Sequence, residues 1–362
     1  MAGERTFPLD AWYAAAWSSE IEHALSPRKI CGKDIVLYRT SAGEVAALED
    51  ACWHRLLPLS LGHLEGDRVV CGYHGLQFDS GGRCTFMPAQ KTINPSARVK
   101  SFPVVERHRL VWIWPGDPAL ADPDKMPDFH WNDGTEWVGE GGTYYSLKCD
   151  YRLIVDNLMD LTHETYVHAG SIGDAHVTET PFDVEHTDRT ATVVRWMKGI
   201  EPPPFWAKNL NKPGTLVDRW QIIRFEAPSV VAGDVGVAPV GTGAPEGDRS
   251  QGVNGHFLAA ITPETETTCH YFWNFVRTFD TQNEALTRSI NIAHANPEKK
   301  GLYDQDVFVL EAQQKAIDDN PRMPFYNMNI DAGALWARKM IDRMLAEEGV
   351  SPHPFTAAEA AE

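Results

Sequence analysis

The sequence predicts an α+β protein: a small antiparallel β module over residues 1–125, then a larger domain over 126–350 built from an antiparallel sheet and helices. Three observations carry this. Residues 31–115 are short runs rich in Val, Leu, Tyr and Trp, broken by Gly, Asp and Ser, which is the pattern of strands joined by hairpins. The segment PGDPALADPDKMPD is dense enough in Pro and Asp to mark a boundary near 115–130. Beyond Tyr144 apolar residues recur at helical intervals, then in strand-like runs, then at helical intervals again. A chain of 362 residues is also too long for one small core.

In chain order, IVLYRT, VAALED, RVVCGYHGLQF and RLVWIWPG read as strands of the first module, with SAGE and DSGGR as turns. KCDYRLIVDNLMDLTHETYVHAG has no internal Pro and predicts a helix over about 150–168. TATVVRWM, VDRWQIIRFEAP, HFLAAITP and CHYFWNFVRTF predict strands, with VAPVGTGAPEGDRSQGVNG as a long surface loop between the second and third. ALTRSINIAHA, YDQDVFVLEAQQKAI and ALWARKMIDRMLAEE predict helices, and residues 351–362 a flexible tail.

Composition narrows the function classes. Hydrophobic residues make up 43% and charged residues 23%, an ordinary globular balance. A formal net charge of −17 repels phosphate backbones, so nucleic acid is not an expected partner. The N-terminus lacks a signal-peptide core and no run of about 18 apolar residues occurs, so a cytoplasmic protein without a membrane span is expected. Cys31, Cys84, Cys149 and Cys269 show no metal spacing and are expected to be reduced, buried and structural.

The first chemical constellation is CWHRLLPLSLGHLEGDRVVCGYHG: Cys52-x-His54, sixteen intervening residues, then Cys71-x-x-His74 before Gly75. Two thiolates and two imidazoles can hold a tetrahedral zinc ion, or a two-iron cluster with cysteines on one iron and histidines on the other. Zinc knuckles usually pair like ligands, whereas each loop here supplies one Cys and one His, which favours the [2Fe-2S] arrangement. Neutral histidine ligands raise the reduction potential above that of an all-cysteine cluster.

The second constellation lies in NLMDLTHETYVH, which carries Asp160, His163 and His168. Two histidines and a distant carboxylate on one metal leave positions open for O2 and substrate, the facial triad of non-haem Fe(II) oxygenases. Residues i and i+5 diverge on a regular α-helix, so both imidazoles reach one ion only if the helix ends or widens there, for example at a π-type bulge. Asp304, Asp306 and Glu311 are the late carboxylates available as third ligand.

These motifs resemble the Rieske non-haem iron oxygenases. Leu57 and Tyr73 stand where the respiratory branch carries an extra cysteine pair, and Trp53 stands where many relatives have Pro. DAWYAA, VVERHRLVWIWPGDPALADP, CDYRLIVDNLMDLTHETYVH and NIDAGALWARKMIDRML resemble the vanillate and dicamba O-demethylase group over most of the chain. The resemblance implies a Rieske domain followed by a helix-grip catalytic domain. It implies the cluster on Cys52, His54, Cys71 and His74, and a mononuclear Fe(II) on His163, His168 and Asp306. Asp160 would bridge His163 to His74 of the next protomer in a homotrimer. The implied reaction is O2-dependent oxidative O-demethylation of a methoxylated aromatic acid to a phenol and formaldehyde, with electrons from NAD(P)H through a partner reductase or ferredoxin. Ring hydroxylation or N-demethylation is the alternative within the family, and a zinc-stabilised or pure electron-carrier module the alternative outside it. TPETETTCHYFW resembles the dicamba enzyme's corresponding stretch and makes His270 a candidate substrate contact.

Overall fold

A computed structural model describes residues 5–88, 90–134, 136–139, 142–294 and 301–351. The expected tail lies outside these residues, apart from Ser351. Two compact units emerge, one of Leu9–Asp128 with Thr262–Thr265, the other of Phe129–Ile261 with the described residues before Leu9 and after Thr265.

The first unit is all antiparallel β: β1 (Tyr13–Trp17), β2 (Ser26–Ile30), β3 (Lys33–Arg39), β4 (Val45–Glu49), β5 (His63–Glu65), β6 (Arg68–Val70), β7 (Gln77–Phe78), β8 (Cys84–Phe86), β9 (Val104–Arg107) and β10 (Leu110–Ile113). They form three sheets ordered β1-β10-β9, β2-β3-β4 and β5-β6-β7-β8. The Ala-rich β1 was invisible to pattern reading, because Ala favours helix. Burial of all five of its residues and pairing to β10 override that preference. Val36, Leu48, Leu59, Val69 and Phe78 form a core that also encloses Cys52 and Cys71.

The second unit contains β11 (Thr143–Leu147), α1 (Tyr151–Met159), α2 (Glu164–Val167), α3 (Ala175–Glu179), β12 (Asp183–His186), β13 (Thr190–Ile200), α4 (Pro204–Leu210), β14 (Val217–Glu226), β15 (Val230–Pro239), β16 (Val253–Pro263), β17 (Cys269–Arg277), α5 (Glu284–His294), α6 (Leu302–Asp319) and α7 (Ala332–Glu347). A seven-stranded sheet ordered β11-β17-β16-β15-β14-β13-β12 is its frame. α7 packs on α1 and β13, and a side chain at Gly333 would come within 2.5 Å of Val193.

Two expectations need correction. The helix over 150–168 is not continuous: Asp160 is extended (φ −122°, ψ 98°), and a 3-10 turn, Leu161–His163, separates α1 from α2. A helix end, not a π-bulge, accommodates the five-residue spacing. The loop beginning at 237 is shorter, since β15 runs to Pro239 and β16 starts at Val253. Gly233 and Gly236 made β15 look unlike a strand, but both are spatial necessities. A Cβ at Gly233 would stand 2.0 Å from the Phe257 ring, and one at Gly236 2.4 Å from Trp220.

Candidate cluster and iron sites

Two loops in the first unit share one hydrogen-bond scheme. The Cys52 amide donates to Leu57 O at 2.9 Å and the Leu56 amide to Cys52 O at 2.9 Å. In the second loop Cys71 donates to Leu76 O at 2.8 Å and Gly75 to Cys71 O at 3.0 Å. Each turn closes on a left-handed residue, Leu56 (φ 61°) and Gly75 (φ 72°). The second is suited to glycine, while the first makes Leu56 bear a conformation that costs a side-chain residue energy. Cys52 and Cys71 are each 2% exposed, whereas His54 and His74 are on the surface. The two histidine Nδ1 atoms converge to 3.2 Å. Burial and the adjacent Cys71 push the Cys52 thiol up to about 11, so a thiolate there calls for a cation. Two buried sulfurs and two surface imidazoles are the donor set of a two-iron cluster, and the residues fit one.

In the second unit, ligand atoms of His163, His168 and Asp306 all lie within 4.8 Å of one another. Asp306 Oδ1 is 3.2 Å from His168 Nε2 and 3.6 Å from His163 Nε2. The other ring nitrogens are occupied. His163 Nδ1 donates to the Asp160 carbonyl at 2.7 Å, and His168 Nδ1 lies 3.1 Å from Gln305 Oε1. Those bonds fix both tautomers so that Nε2 lone pairs point at one spot. His168 is deeply buried, which disfavours its charged form, but the Asp306 carboxylate outweighs this and raises its pKa. Two imidazoles and one carboxylate within reach of a common point are a donor set that fits a divalent iron with open positions.

The other late carboxylates are engaged elsewhere. Asp304 accepts from the Tyr145 hydroxyl at 3.0 Å, and Glu311 from the Lys148 amide at 3.0 Å. Asp160 reaches His163 through its carbonyl; its carboxylate accepts from the Thr162 amide at 2.9 Å. His270 is buried, 2.9 Å from the Tyr144 hydroxyl. Strand alternation puts it on the opposite face of β17 from Tyr271 and Trp273, whose rings meet Tyr303 of the Asp306-bearing α6. The structure therefore does not bring His270 to the triad.

Sequence reading missed the supporting shell. Glu164, directly after His163, accepts from Arg219 Nη2 and Gln221 Nε2, each at 2.9 Å. Only Gln305, beside Asp306, had a local signal. The four remaining cysteines are buried and form no disulfide, in keeping with their spacing.

Comparison with known proteins identifies the family. Residues 11–103 match the Rieske [2Fe-2S] domain, and residues 147–347 match the vanillate O-demethylase oxygenase C-terminal domain. A vanillate O-demethylase oxygenase subunit from Pseudomonas sp. is 41% identical over 94% of this chain and 96% of the relative. The iron-sulfur subunit of a toluene-4-sulfonate monooxygenase system from Comamonas testosteroni is 40% identical over 96% of this chain and 100% of its own. The crystal structure of dicamba monooxygenase bound to 3,6-dichlorosalicylic acid superposes with a TM-score of 0.87 at 35% identity, covering 95% of this chain and 99% of that one. With matches over nearly its whole length, the chain belongs to the vanillate O-demethylase group of Rieske non-haem iron monooxygenases, as an oxygenase component.

Proposed function

We propose that this oxygenase component removes a methyl group from a methoxylated aromatic acid of the vanillate type. Cys52, His54, Cys71 and His74 hold the [2Fe-2S] cluster in the Leu9–Asp128 unit, and His163, His168 and Asp306 hold the mononuclear iron in the other. The carrying observation is the convergence of those last three side chains within 4.8 Å, with each histidine's second nitrogen already bonded. Bound there, iron supplies O2 activation at its open positions, and the cluster supplies electrons one at a time. The chain's own part would be to hold both Nε2 atoms and the Asp306 carboxylate as ligands of that ion.

The stoichiometry is closed. One O2, two electrons and two protons convert the methyl ether to a hemiacetal and water, and the hemiacetal collapses to the phenol and formaldehyde. The electrons derive from NAD(P)H through a reductase or ferredoxin. A homotrimer would let Asp160 connect His163 to His74 of the neighbouring copy. The cytoplasm, where such reductases and aromatic acids meet, is the proposed location; no helix among the described residues is long and apolar enough to cross a membrane.

Turnover of a methoxybenzoate panel with a compatible reductase should release formaldehyde in one-to-one ratio with phenol. Ring-hydroxylated products with the methoxyl retained would refute demethylation.

A further inference from the structure

The helix α2 is only four residues long, and the triad histidines flank it: His163 is its N-cap and His168 its C-cap. One helical turn does not hold its own shape, because nucleation fixes several residues for each hydrogen bond gained. No side chain caps the start of α2, and its last bond runs from the His168 amide to the Glu164 carbonyl at 3.1 Å. Contacts from outside α2 must therefore fix where the two imidazoles point. At the N-terminal end they are the ring of His163 on the Asp160 carbonyl and the Glu164 carboxylate on Arg219 and Gln221. The His168 end is held by other means.

Beyond His168 the chain turns at Gly170 (φ 84°), and residues 169–174 fold back over α2 as a strap. The His168 carbonyl accepts from the strap at every turn: from the Ser171 hydroxyl at 2.9 Å, the Ser171 amide at 3.2 Å and the Gly173 amide at 3.3 Å. A carbonyl oxygen has two lone pairs, so these donors saturate it and leave the His168 peptide little freedom. Ala169 and Gly173 form a parallel bridge. The far end is tied to α2 by Thr165 Oγ1, which donates to the Asp174 carbonyl at 2.8 Å. Gly173 is where the strap closes. A Cβ there would stand 1.7 Å from the Glu164 carbonyl oxygen and 2.4 Å from its carbon. Both are backbone atoms and cannot swing aside, so a side chain at 173 would lift the strap off α2 and draw its amide away from His168.

We propose that Ser171 and Gly173 are positioning residues for the iron site, the strap setting the direction of the His168 imidazole before any ion binds; this rests on the reading of His163, His168 and Asp306 as iron ligands. Both act through the His168 backbone, and neither is a ligand. Gln305 steers the same ring from its Nδ1 side, at 3.1 Å, so backbone and ring are fixed from separate parts of the chain.

The test uses the cluster-loaded full chain and the variants Ser171→Ala, Ser171→Thr and Gly173→Ala. Thr242→Val is the control, since it removes the same kind of hydroxyl-to-carbonyl bond, 2.7 Å to Pro239, in the loop between β15 and β16. Two quantities are read: the Fe(II) dissociation constant of the mononuclear site by chelator competition, and hydrogen exchange over 164–174 in protein that keeps its cluster but is stripped of that iron. Losing a hydrogen bond that orients a metal ligand weakens metal binding by roughly 10- to 100-fold. Ser171→Ala should show the lower part of that range with faster exchange, and Ser171→Thr, which keeps the hydroxyl, should restore both. Gly173→Ala should fall at the upper end with cluster absorbance retained. Melting temperature is recorded alongside, because a merely structural bond lowers it, as in Thr242→Val, and leaves iron affinity alone. An Fe(II) affinity of Ser171→Ala within about twofold of the parent would overturn the proposal, whatever the exchange shows. If the parent itself binds no mononuclear iron, the ligand reading fails. Exchange then decides the strap: acceleration in Ser171→Ala but not in Thr242→Val supports it, and equal rates refute it.

Discussion

Glu164 lies between the two triad histidines in the chain, yet its carboxylate turns into the sheet. There it meets Arg219 and Gln221 of β14, and Arg219 also reaches Asp174, the residue capping α3, at 3.2 Å. Arg195 Nη1 adds a bond to Gln221 at 3.3 Å. Glu164 and Arg219 are 5% and 2% exposed, so this is a buried ion pair, and such pairs are costly to break from one side. Its geometric effect is to hold the turn bearing His163 and His168 against β14. Arg219→Met should therefore destabilise the protein by about 3–5 kcal/mol. Iron analysis should show the mononuclear iron depleted while cluster absorbance persists; full iron content in that variant would separate the pair from the site.

Among the elements, β15 and β16 show how strands trade side chains across the sheet. Asp234 of β15 pairs with His256 of β16 in register, and the His256 ring is stacked on Trp131 at 5.1 Å and tilted against Trp137 at 4.4 Å. Burial lowers the pKa of His256 below the usual 6.5, more than the nearby Asp234 raises it. The sign follows: a histidine kept neutral in the fold but free to protonate when unfolded withdraws stability as pH falls through 6.5. His256→Phe retains an aromatic plane between the two tryptophans and removes the titration. Melting temperature recorded from pH 7.5 down to 5.0 should therefore decline less steeply in the variant than in the parent. Equal slopes would show that His256 is not the group responsible.

For the whole molecule, the proposed transfer from cluster to iron across a subunit boundary gives a complementation experiment. Cys71→Ser would lack the cluster and Asp306→Ala the mononuclear iron, so each homogeneous protein should be inactive. Co-expressed copies that mix should recover a substantial fraction of turnover, because a protomer with an intact iron site would draw electrons from a neighbour's intact cluster. Absence of recovery in samples proven mixed by mass spectrometry would place transfer within one chain. The surface charge also bears on the donor: a net −17 favours a reductase or ferredoxin docking face with basic residues, and docking rates that fall as salt rises.

Much of the proposed site was legible locally, because ligands of one ion need suitable donor types at short spacing, and the candidate donors stand within a few residues of one another. Cys52, His54, Cys71 and His74 sit in two adjacent turns, and His163 and His168 in one. The helices α5, α6 and α7 were likewise visible through periodicity. What spacing left open was every partner separated by a long stretch of chain. Asp306 was one of three carboxylates until α6 turned it alone toward the histidines. The strand β15 hid behind glycines whose purpose is to admit Phe257 and Trp220. Arg219 carries no motif at all; its pairing with Glu164 comes from burial, and burial is decided by which distant strands and helices pack over it. The sequence by itself determined the chemistry, since ligand identity is a property of residue type. Only the tertiary structure decided which carboxylate meets the two histidines, because strand pairing and helix packing, not local spacing, set those distances.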